Sequence, residues 1–236
     1  MRALLLAAGL GSRLRPITNT VPKCLVTVLG RPLLDYWLEL LFLGSVSRVL
    51  INTHYLPQPV RDFVAASPYY AKIDLVHEEQ LLGTAGTVLK NRDYFGRDSF
   101  IVAHADNLTL FNVGSFIKSH ERRPAGTVMT MMTFVTDTPS SCGIVHCDAA
   151  GIVKTFHEKV PNPPGNVANA AVYIFEPDVI DFIEALGKPV VDLSTEVIPF
   201  YLGRIATFHN ARYHRDIGTP ESLQFAEREM AELSTE

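Results

Sequence analysis

The sequence predicts an α/β fold, a doubly wound, mostly parallel sheet carrying a small β-rich lobe. Three observations lead there. The chain opens on an apolar run, residues 2–8, without polar alternation, as in a strand covered on both faces. From residue 48 to residue 120 strand-like and helix-like patterns alternate. From 127 to 175 the pattern turns β-rich. Strands joined through helices form right-handed crossovers and hence a parallel sheet, whose ligands bind beyond the strand carboxyl ends.

The elements follow in order. After strand 2–8 comes a Gly-rich, Arg-containing loop at 9–20. Residues 32–43 are strongly apolar and predict a helix, with Pro32 near the first turn, where a missing N–H is harmless. Strand 48–53, helix 57–66, strand 73–77, short helix 84–90, strand 100–105 and helix 113–120 complete the alternating half. A long β-rich run covers 127–135. Residues 143–147 and 152–156 read as a hairpin about 148–151, followed by a Pro-rich loop at 160–165 and a strand at 168–175. Helices are predicted over 179–186 and 193–202, and a strand over 206–209. A last helix spans 220–233, with Thr219 as its N-cap and Glu221 in its first turn. No repeat or linker interrupts the chain, so one domain over 1–236 is expected, built of a part at 1–135 and a part at 136–236.

Composition narrows the function classes. Hydrophobic residues make up 47% and charged residues 19% of 236, which supplies a sizeable core and confines expected disorder to 232–236. A net charge of −4 without a long basic block argues against a nucleic-acid partner. Small anionic ligands stay open, because a few cations and backbone N–H groups bind phosphate inside an acidic protein. The three cysteines, Cys24, Cys142 and Cys147, are too few for a disulfide scaffold and fit a reducing compartment. Cys142, His146 and Cys147 match no zinc-finger or ribbon spacing. No apolar run approaches the roughly 18 residues of a membrane span. The opening run imitates a signal peptide only briefly, since Gly9, Gly11, Arg13 and Arg15 follow at once without a cleavage region. A buried first strand, a cytoplasmic protein and no membrane partner are therefore expected.

Five segments carry polar chemistry. In the first, Ala7, Ala8, Gly9 and Gly11 let backbone approach a ligand, and successive N–H groups make a concave anion site. Arg13 and Lys23 add charge, and the Arg13 fork suits phosphate oxygens. A dinucleotide fingerprint fails here, because Leu14 holds the third glycine position and Pro16 breaks the following helix. No Gly-Lys-Ser/Thr closes the loop, so the P-loop pattern fails too. In the second segment, 79–86, Gly83 precedes a short helix whose N-terminus can face a base or phosphate. In the third, 101–107, Asp106 follows an apolar strand, where it suits either a turn or a hard cation such as Mg²⁺. The fourth holds Gly143, Glu158, Lys159 and the run 169–175. The fifth, 214–220, holds Asp216 as a second acid or a cap of the last helix.

The stretch 6–34 closely resembles the sugar-nucleotide pyrophosphorylases, or nucleoside-diphosphate-sugar synthases. The resemblance rests on the loop Gly9 to Arg13, on Pro22-Lys23 and on Gly30-Arg31-Pro32-Leu33, and the other four segments extend it over nearly the whole chain. It implies a Rossmann-like fold and a nucleotidyltransferase that joins a nucleoside triphosphate to a sugar 1-phosphate, with Mg²⁺ held by Asp106 and Asp216. It implies a nucleotide site of Leu6, Ala7, Ala8, Gly9, Gly11, Ser12, Arg13, Lys23, Gln80, Gly83, Thr84, Ala85 and Asp106. The implied sugar-phosphate site is Asn107, Gly143, Glu158, Lys159, Asn169 and Asp216, and the catalytic set is Arg13, Lys23, Asp106 and Asp216.

Leu82-Gly83-Thr84-Ala85-Gly86 looks most like the mannose-1-phosphate guanylyltransferase branch, which implies GTP and a mannose- or heptose-like sugar. The sequence departs from the family pattern at Ala105 and Ala171, where Gly is usual, and at His214, where Trp is usual; His104 is expected to be structural. With a short remainder after Asp216, the β-helical domain of some relatives is not expected. Uridylyl, thymidylyl or cytidylyl transfer, a non-catalytic binding protein on the same scaffold, and a homo-oligomer all stay open. Retention of Arg13, Lys23, Asp106, Lys159 and Asp216 argues against the non-catalytic reading.

Overall fold

The computed structural model describes residues 1–234. The first half contains β1 (Arg2–Leu6), β2 (Thr27–Val28), β3 (Arg31–Pro32), α1 (Leu33–Leu43), β4 (Arg48–Thr53) and α2 (Pro57–Ala66). It continues with β5 (Ile73–His77), α3 (Gly83–Lys90), α4 (Arg92–Phe95), β6 (Phe100–His104), β7 (Asn107–Leu110) and α5 (Val113–Glu121). The second half contains β8 (Met129–Val135), β9 (Gly143–Cys147), β10 (Val153–Glu158), β11 (Val167–Phe175), α6 (Asp178–Ala185), β12 (Ile205–His209), β13 (Tyr213–Asp216) and α7 (Pro220–Leu233).

The apolar runs in β1, β4 and β6 pair in parallel, with β5 outside β4, in the order β5-β4-β1-β6. Leu6 pairs with Asn52 on one side and His104 on the other. The chain winds from β1 outward to β5, then returns to lay β6 on the opposite flank of β1. The carboxyl ends of β1 and β6 therefore flank a topological switch point, where a crevice forms. The loop after Leu6 and the residue Asp106 both leave from that point.

The β-rich lobe continues the same sheet. β11 lies antiparallel to β6, β8 antiparallel to β11, and β12 parallel to β8. β9 is antiparallel to β11, and β10 to β9. Of the nine strands only β10 and β11 run against the rest, so the sheet is mostly parallel as expected. The register of β11 shifts between Asn169 and Tyr173, and Ala171 there takes φ 53°. A left-handed non-glycine residue costs about 1–2 kcal/mol, which explains why the family pattern has glycine there. Ala171→Gly should therefore raise stability by up to about 1 kcal/mol, a few degrees in Tm. A thermal melt with an unchanged or lower midpoint would contradict this.

Three features differ from the sequence reading. The helix expected over 193–202 is one π turn at Leu193–Val197 and a 3₁₀ turn at Pro199–Tyr201. Pro199 lacks the N–H needed to extend an α-helix. Two short antiparallel ribbons, β2–β3 and β7–β13, were not anticipated. Glu232 and Leu233 belong to α7, against the expected disorder of 232–236; residues 235–236 lie outside the described residues. The cap of α7 is as expected, with the Thr219 hydroxyl accepting from the Ser222 N–H at 3.2 Å. Beneath the first loop, Leu14, Val28, Leu33, Leu108, Ile217 and Met230 form a small core of their own, which fastens α7 under the crevice. Among the described residues, no helix is long and apolar enough to cross a membrane.

Candidate active site

Asp106 sits between β6 and β7, and Asp216 ends β13. The β7–β13 ribbon pairs Asp216 with Asn107, and the Ile217 N–H donates to the Asp106 carbonyl at 3.2 Å. That ribbon brings two carboxylates from distant segments to one point. Lys23, only 10% exposed, donates its Nζ to Asp106 Oδ2 at 2.5 Å and lies 3.5 Å from Asp216 Oδ1. Arg13 Nη2 lies 3.8 Å from Asp216 Oδ2, with the side chain 64% exposed. Gly218 makes room for that approach: a Cβ there would stand 2.8 Å from Asp216 Oδ2 and 3.0 Å from Arg13 Nη2.

The electrostatics keep this cluster charged. Burial alone would depress the Lys23 ammonium, but Asp106 and then Asp216 outweigh it and raise its pKa. Burial pushes the Asp106 carboxyl up, yet the charges of Lys23 and His104 and the Lys23 hydrogen bond hold it below the usual carboxylate range. Two carboxylates converge on one cation. Among the described residues no group of three His, Cys, Asp or Glu stands where it could hold a metal ion. Two hard carboxylates with the remaining positions left to water and phosphate oxygens is the donor set Mg²⁺ favours, so these residues fit that ion.

The loop after β1 is shaped by local constraints. Gly11 takes φ 63°, and a Cβ would lie 2.9 Å from Thr18 Cγ2. The Thr18 hydroxyl donates to the Gly11 carbonyl at 2.7 Å. Ser12 and Arg13 then form a 3₁₀ turn closed by Leu14, whose buried side chain anchors the loop. Gly9 and Leu10 face solvent at the crevice. The Ala7 N–H is committed to Asn52 Oδ1 at 2.7 Å. Asn52 Nδ2 donates in turn to Glu78 Oε1 at 3.1 Å, and the Thr87 hydroxyl donates to the same oxygen at 2.7 Å. Glu78, 1% exposed, is thus a buried carboxylate one residue removed from the loop. Sequence reading missed this network, although Asn52 in an apolar strand was a visible signal.

The second segment needs a correction. The N-terminus of α3 is not an open array of donors, because the Ala85 and Gly86 N–H groups both donate to the Val191 carbonyl, at 2.9 and 3.1 Å. The Thr84 hydroxyl donates to Asp192 Oδ2 at 3.0 Å and accepts from the Leu193 N–H at 2.7 Å. Thr84 and Ala85 therefore clasp the 191–193 segment. Gly83 adopts φ 76°, and a Cβ there would meet the Val191 carbonyl oxygen at 2.4 Å. Gln80 remains exposed on the loop before α3.

A hollow of about 210 Å³ adjoins the carboxylate pair and is lined by Arg13, Asp106, Asn107, Gly143, Glu158, Lys159, Asn169 and Asp216. The structure thus brings Gly143, Glu158, Lys159 and Asn169 of the fourth segment together with residues of the first, third and fifth. A Cβ on Gly143 would stand 2.6 Å from Glu158 Oε2, so glycine lets that carboxylate lie across β9. Lys159 Nζ pairs with Glu158 Oε1 at 3.1 Å while its side chain stays exposed. Two amides are partly committed. Asn107 Nδ2 donates to the Ala170 carbonyl at 3.2 Å, and Asn169 Nδ2 donates to the Tyr173 hydroxyl at 2.7 Å. Asn107 is buried, and its carbonyl accepts from Trp37 Nε1 at 2.8 Å, so it fastens the wall as much as it lines the hollow.

The three departures from pattern are accommodated. Ala105 is buried in the core, and its N–H donates to the Leu6 carbonyl at 3.0 Å. Ala171 accepts the left-handed geometry described above. The His214 ring packs on Phe134 with centroids 4.2 Å apart. Burial pushes the His214 pKa down to about 3 against the opposing pull of Asp106, so the imidazole is neutral. His104, Cys142 and Ser194 also line the hollow without having been assigned to it.

Comparison with known proteins bears on this geometry. A family model described as nucleotidyl transferase matches residues 2–232. The chain is 32% identical to a UTP–glucose-1-phosphate uridylyltransferase of Synechocystis over 213 residues, covering 84% of this chain and 54% of that protein. It is 31% identical to a mannose-1-phosphate guanylyltransferase of Mycobacterium tuberculosis over 226 residues, covering 94% of this chain and 62% of that protein. It thus spans between half and two thirds of the length of these relatives. The crystal structure of HddC from Yersinia pseudotuberculosis complexed with GMP-PN superposes with a TM-score of 0.81 at 25% identity, covering 97% of this chain and 99% of that one. By this match over nearly its full length, the chain belongs to the nucleotidyl transferase family.

Proposed function

We propose that the chain is a cytoplasmic sugar-1-phosphate nucleotidyltransferase that uses a nucleoside triphosphate, GTP in preference, and a mannose- or heptose-like sugar 1-phosphate. The observation that carries this reading is the convergence of Lys23 on Asp106 and Asp216 at the switch point, beside a hollow lined by Glu158, Lys159 and Asn169. One part, 1–135, takes the nucleotide, and 136–236 supplies most of the acceptor side within one domain.

An oxygen of the acceptor phosphate attacks the α-phosphorus. The bond from the α-phosphorus to the bridging oxygen breaks, and pyrophosphate leaves with that electron pair. A phosphate monoester is largely ionised near neutral pH, so the attacking oxygen needs no general base. Catalysis then rests on positioning and on stabilising charge. Arg13 and Lys23 neutralise the α-phosphate and the leaving group, and Lys159 aligns the attacking phosphate. Mg²⁺ held by Asp106 and Asp216 would supply further charge neutralisation between the two phosphate-bearing substrates. Leu6, Ala7, Ala8, Gly9, Gly11 and Ser12 shape the triphosphate side, and Gln80, exposed on the loop before α3, borders the base.

The guanylyl preference is supported by the likeness of Leu82-Gly83-Thr84-Ala85-Gly86 to the mannose-1-phosphate guanylyltransferase branch. A panel of triphosphates against sugar 1-phosphates, followed by pyrophosphate release, tests the function itself. Turnover with UTP, dTTP or CTP alone would move the chain to another branch, and binding without turnover would make it a non-catalytic relative.

A further inference from the structure

The start of α3 lies in the nucleotide half of the chain, yet its polar groups are spent on the other half. Val191 and Leu193 are buried and carry the 191–193 segment against α3. The Val191 N–H donates to the Leu82 carbonyl at 3.0 Å, and the Val191 carbonyl takes the Ala85 and Gly86 N–H groups. Gly83 makes this approach possible, since a Cβ would stand 2.4 Å from the Val191 oxygen. The Thr84 hydroxyl completes the clasp. It donates to Asp192 Oδ2 at 3.0 Å and accepts from the Leu193 N–H at 2.7 Å. A threonine hydroxyl has one proton to give, and a phosphate oxygen or a base carbonyl would need that proton.

The clasped segment leads directly into the acceptor hollow. Ser194 follows Leu193 and lines the hollow with Asn169 and Ala171. Among the described residues, no hydrogen bond occupies the Ser194 hydroxyl. Its place in the chain is fixed from both sides. Before it, the Leu193 N–H is held by Thr84. After it, Asp192 Oδ1 accepts from the Thr195 N–H at 3.0 Å and from the Thr195 hydroxyl at 3.1 Å, which starts the π turn Leu193–Val197. One carboxylate therefore grips α3 with Oδ2 and, with Oδ1, the turn that presents Ser194.

We propose that Thr84 and Asp192 are positioning residues for the sugar 1-phosphate and not contacts of the triphosphate: they hold the 191–194 segment so that the Ser194 hydroxyl lines the acceptor hollow. A site wall held by such supporting hydrogen bonds loses affinity for its own ligand when the support is removed. This inference rests on the transferase reading above and assigns two residues within it.

The test is steady-state kinetics by pyrophosphate release, each substrate varied with the other saturating. The pair used is whichever of GTP, UTP, dTTP and CTP, with whichever of mannose, glucose and N-acetylglucosamine 1-phosphates, the unaltered chain turns over fastest. Thr84→Val keeps the shape and deletes the hydroxyl. It should raise KM for the sugar 1-phosphate about tenfold and leave KM for the triphosphate within about twofold, with kcat little changed, the pattern of lost ground-state binding. Thr84→Ser restores the hydroxyl and should recover most of the loss. Asp192→Ala breaks the clasp from the other side and should give the same one-sided rise, so the proposal stays open to refutation even if Thr84→Val folds poorly. Ser194→Ala should raise the same KM, and adding Thr84→Val to it should cost less than the two single losses combined, because both act through one contact. A rise confined to the triphosphate KM, or shared equally by the two substrates, would overturn the proposal, as would fully additive losses. If the unaltered chain turns over no sugar 1-phosphate, the transferase reading falls and this inference with it; turnover without the one-sided rise removes this inference alone.

Discussion

Asp106→Ala and Asp216→Ala should each lower turnover by at least about 10²-fold, the scale of losing a major preorganised electrostatic element. The loss should fall on kcat rather than only on KM, because the carboxylates act on charge that develops during transfer. The two variants should differ in their side effects. Asp106 is the closer partner of Lys23, at 2.5 Å, so its removal strands a nearly buried ammonium. Asp216 is more exposed and shares its charge with Arg13 as well. A thermal melt should therefore show the larger shift for Asp106→Ala, and Asp106→Asn separates chemistry from folding by keeping the shape. Near-normal turnover in both alanine variants at saturating Mg²⁺ would remove the pair from the mechanism.

Lys23→Met should cost a comparable factor of about 10² or more in turnover, because it deletes the one buried cation at the carboxylate pair. Lys23→Arg should not restore it. A planar guanidinium does not replace a compact ammonium placed between Asp106 Oδ2 and Asp216 Oδ1 at 2.5 and 3.5 Å. The methionine variant carries a second signature. With the competing ammonium gone, the two carboxylates should bind a divalent cation more tightly in the absence of substrate, which isothermal titration with Mg²⁺ or Mn²⁺ reads. Weaker cation binding in Lys23→Met would show that the two carboxylates do not form a shared site.

Sequence reasoning succeeded where a segment carries its own pattern. β1, β4 and β6 read as apolar runs because both of their faces are covered, and α7 announced itself through Thr219 and Pro220. It failed where structure depends on a distant partner. β7 and β13 are four residues each, without periodicity, and become strands only by pairing with one another across the chain. That ribbon sets the distance between Asp106 and Asp216, so their meeting was legible through the family resemblance and not from any local pattern. The start of α3 looked open because nothing nearby in sequence reveals that Val191 would take its N–H groups. Glu78 was passed over for the same reason, since its partners Asn52 and Thr87 lie on other elements. At Ala171 the sequence recorded only a departure from glycine, and the structure supplies the cause in a left-handed residue at a register shift.

Phosphorus NMR of the purified chain incubated with GTP, UTP, dTTP or CTP, Mg²⁺ and a panel of sugar 1-phosphates follows bond-making and bond-breaking together. A new sugar-nucleotide diphosphate and free pyrophosphate should appear in equal amounts, revert on adding excess pyrophosphate, and be absent in the Asp106→Ala/Asp216→Ala double variant. Release of orthophosphate in place of pyrophosphate, or triphosphate binding with no diphosphate product from any of the four nucleotides, would contradict nucleotidyl transfer at this site.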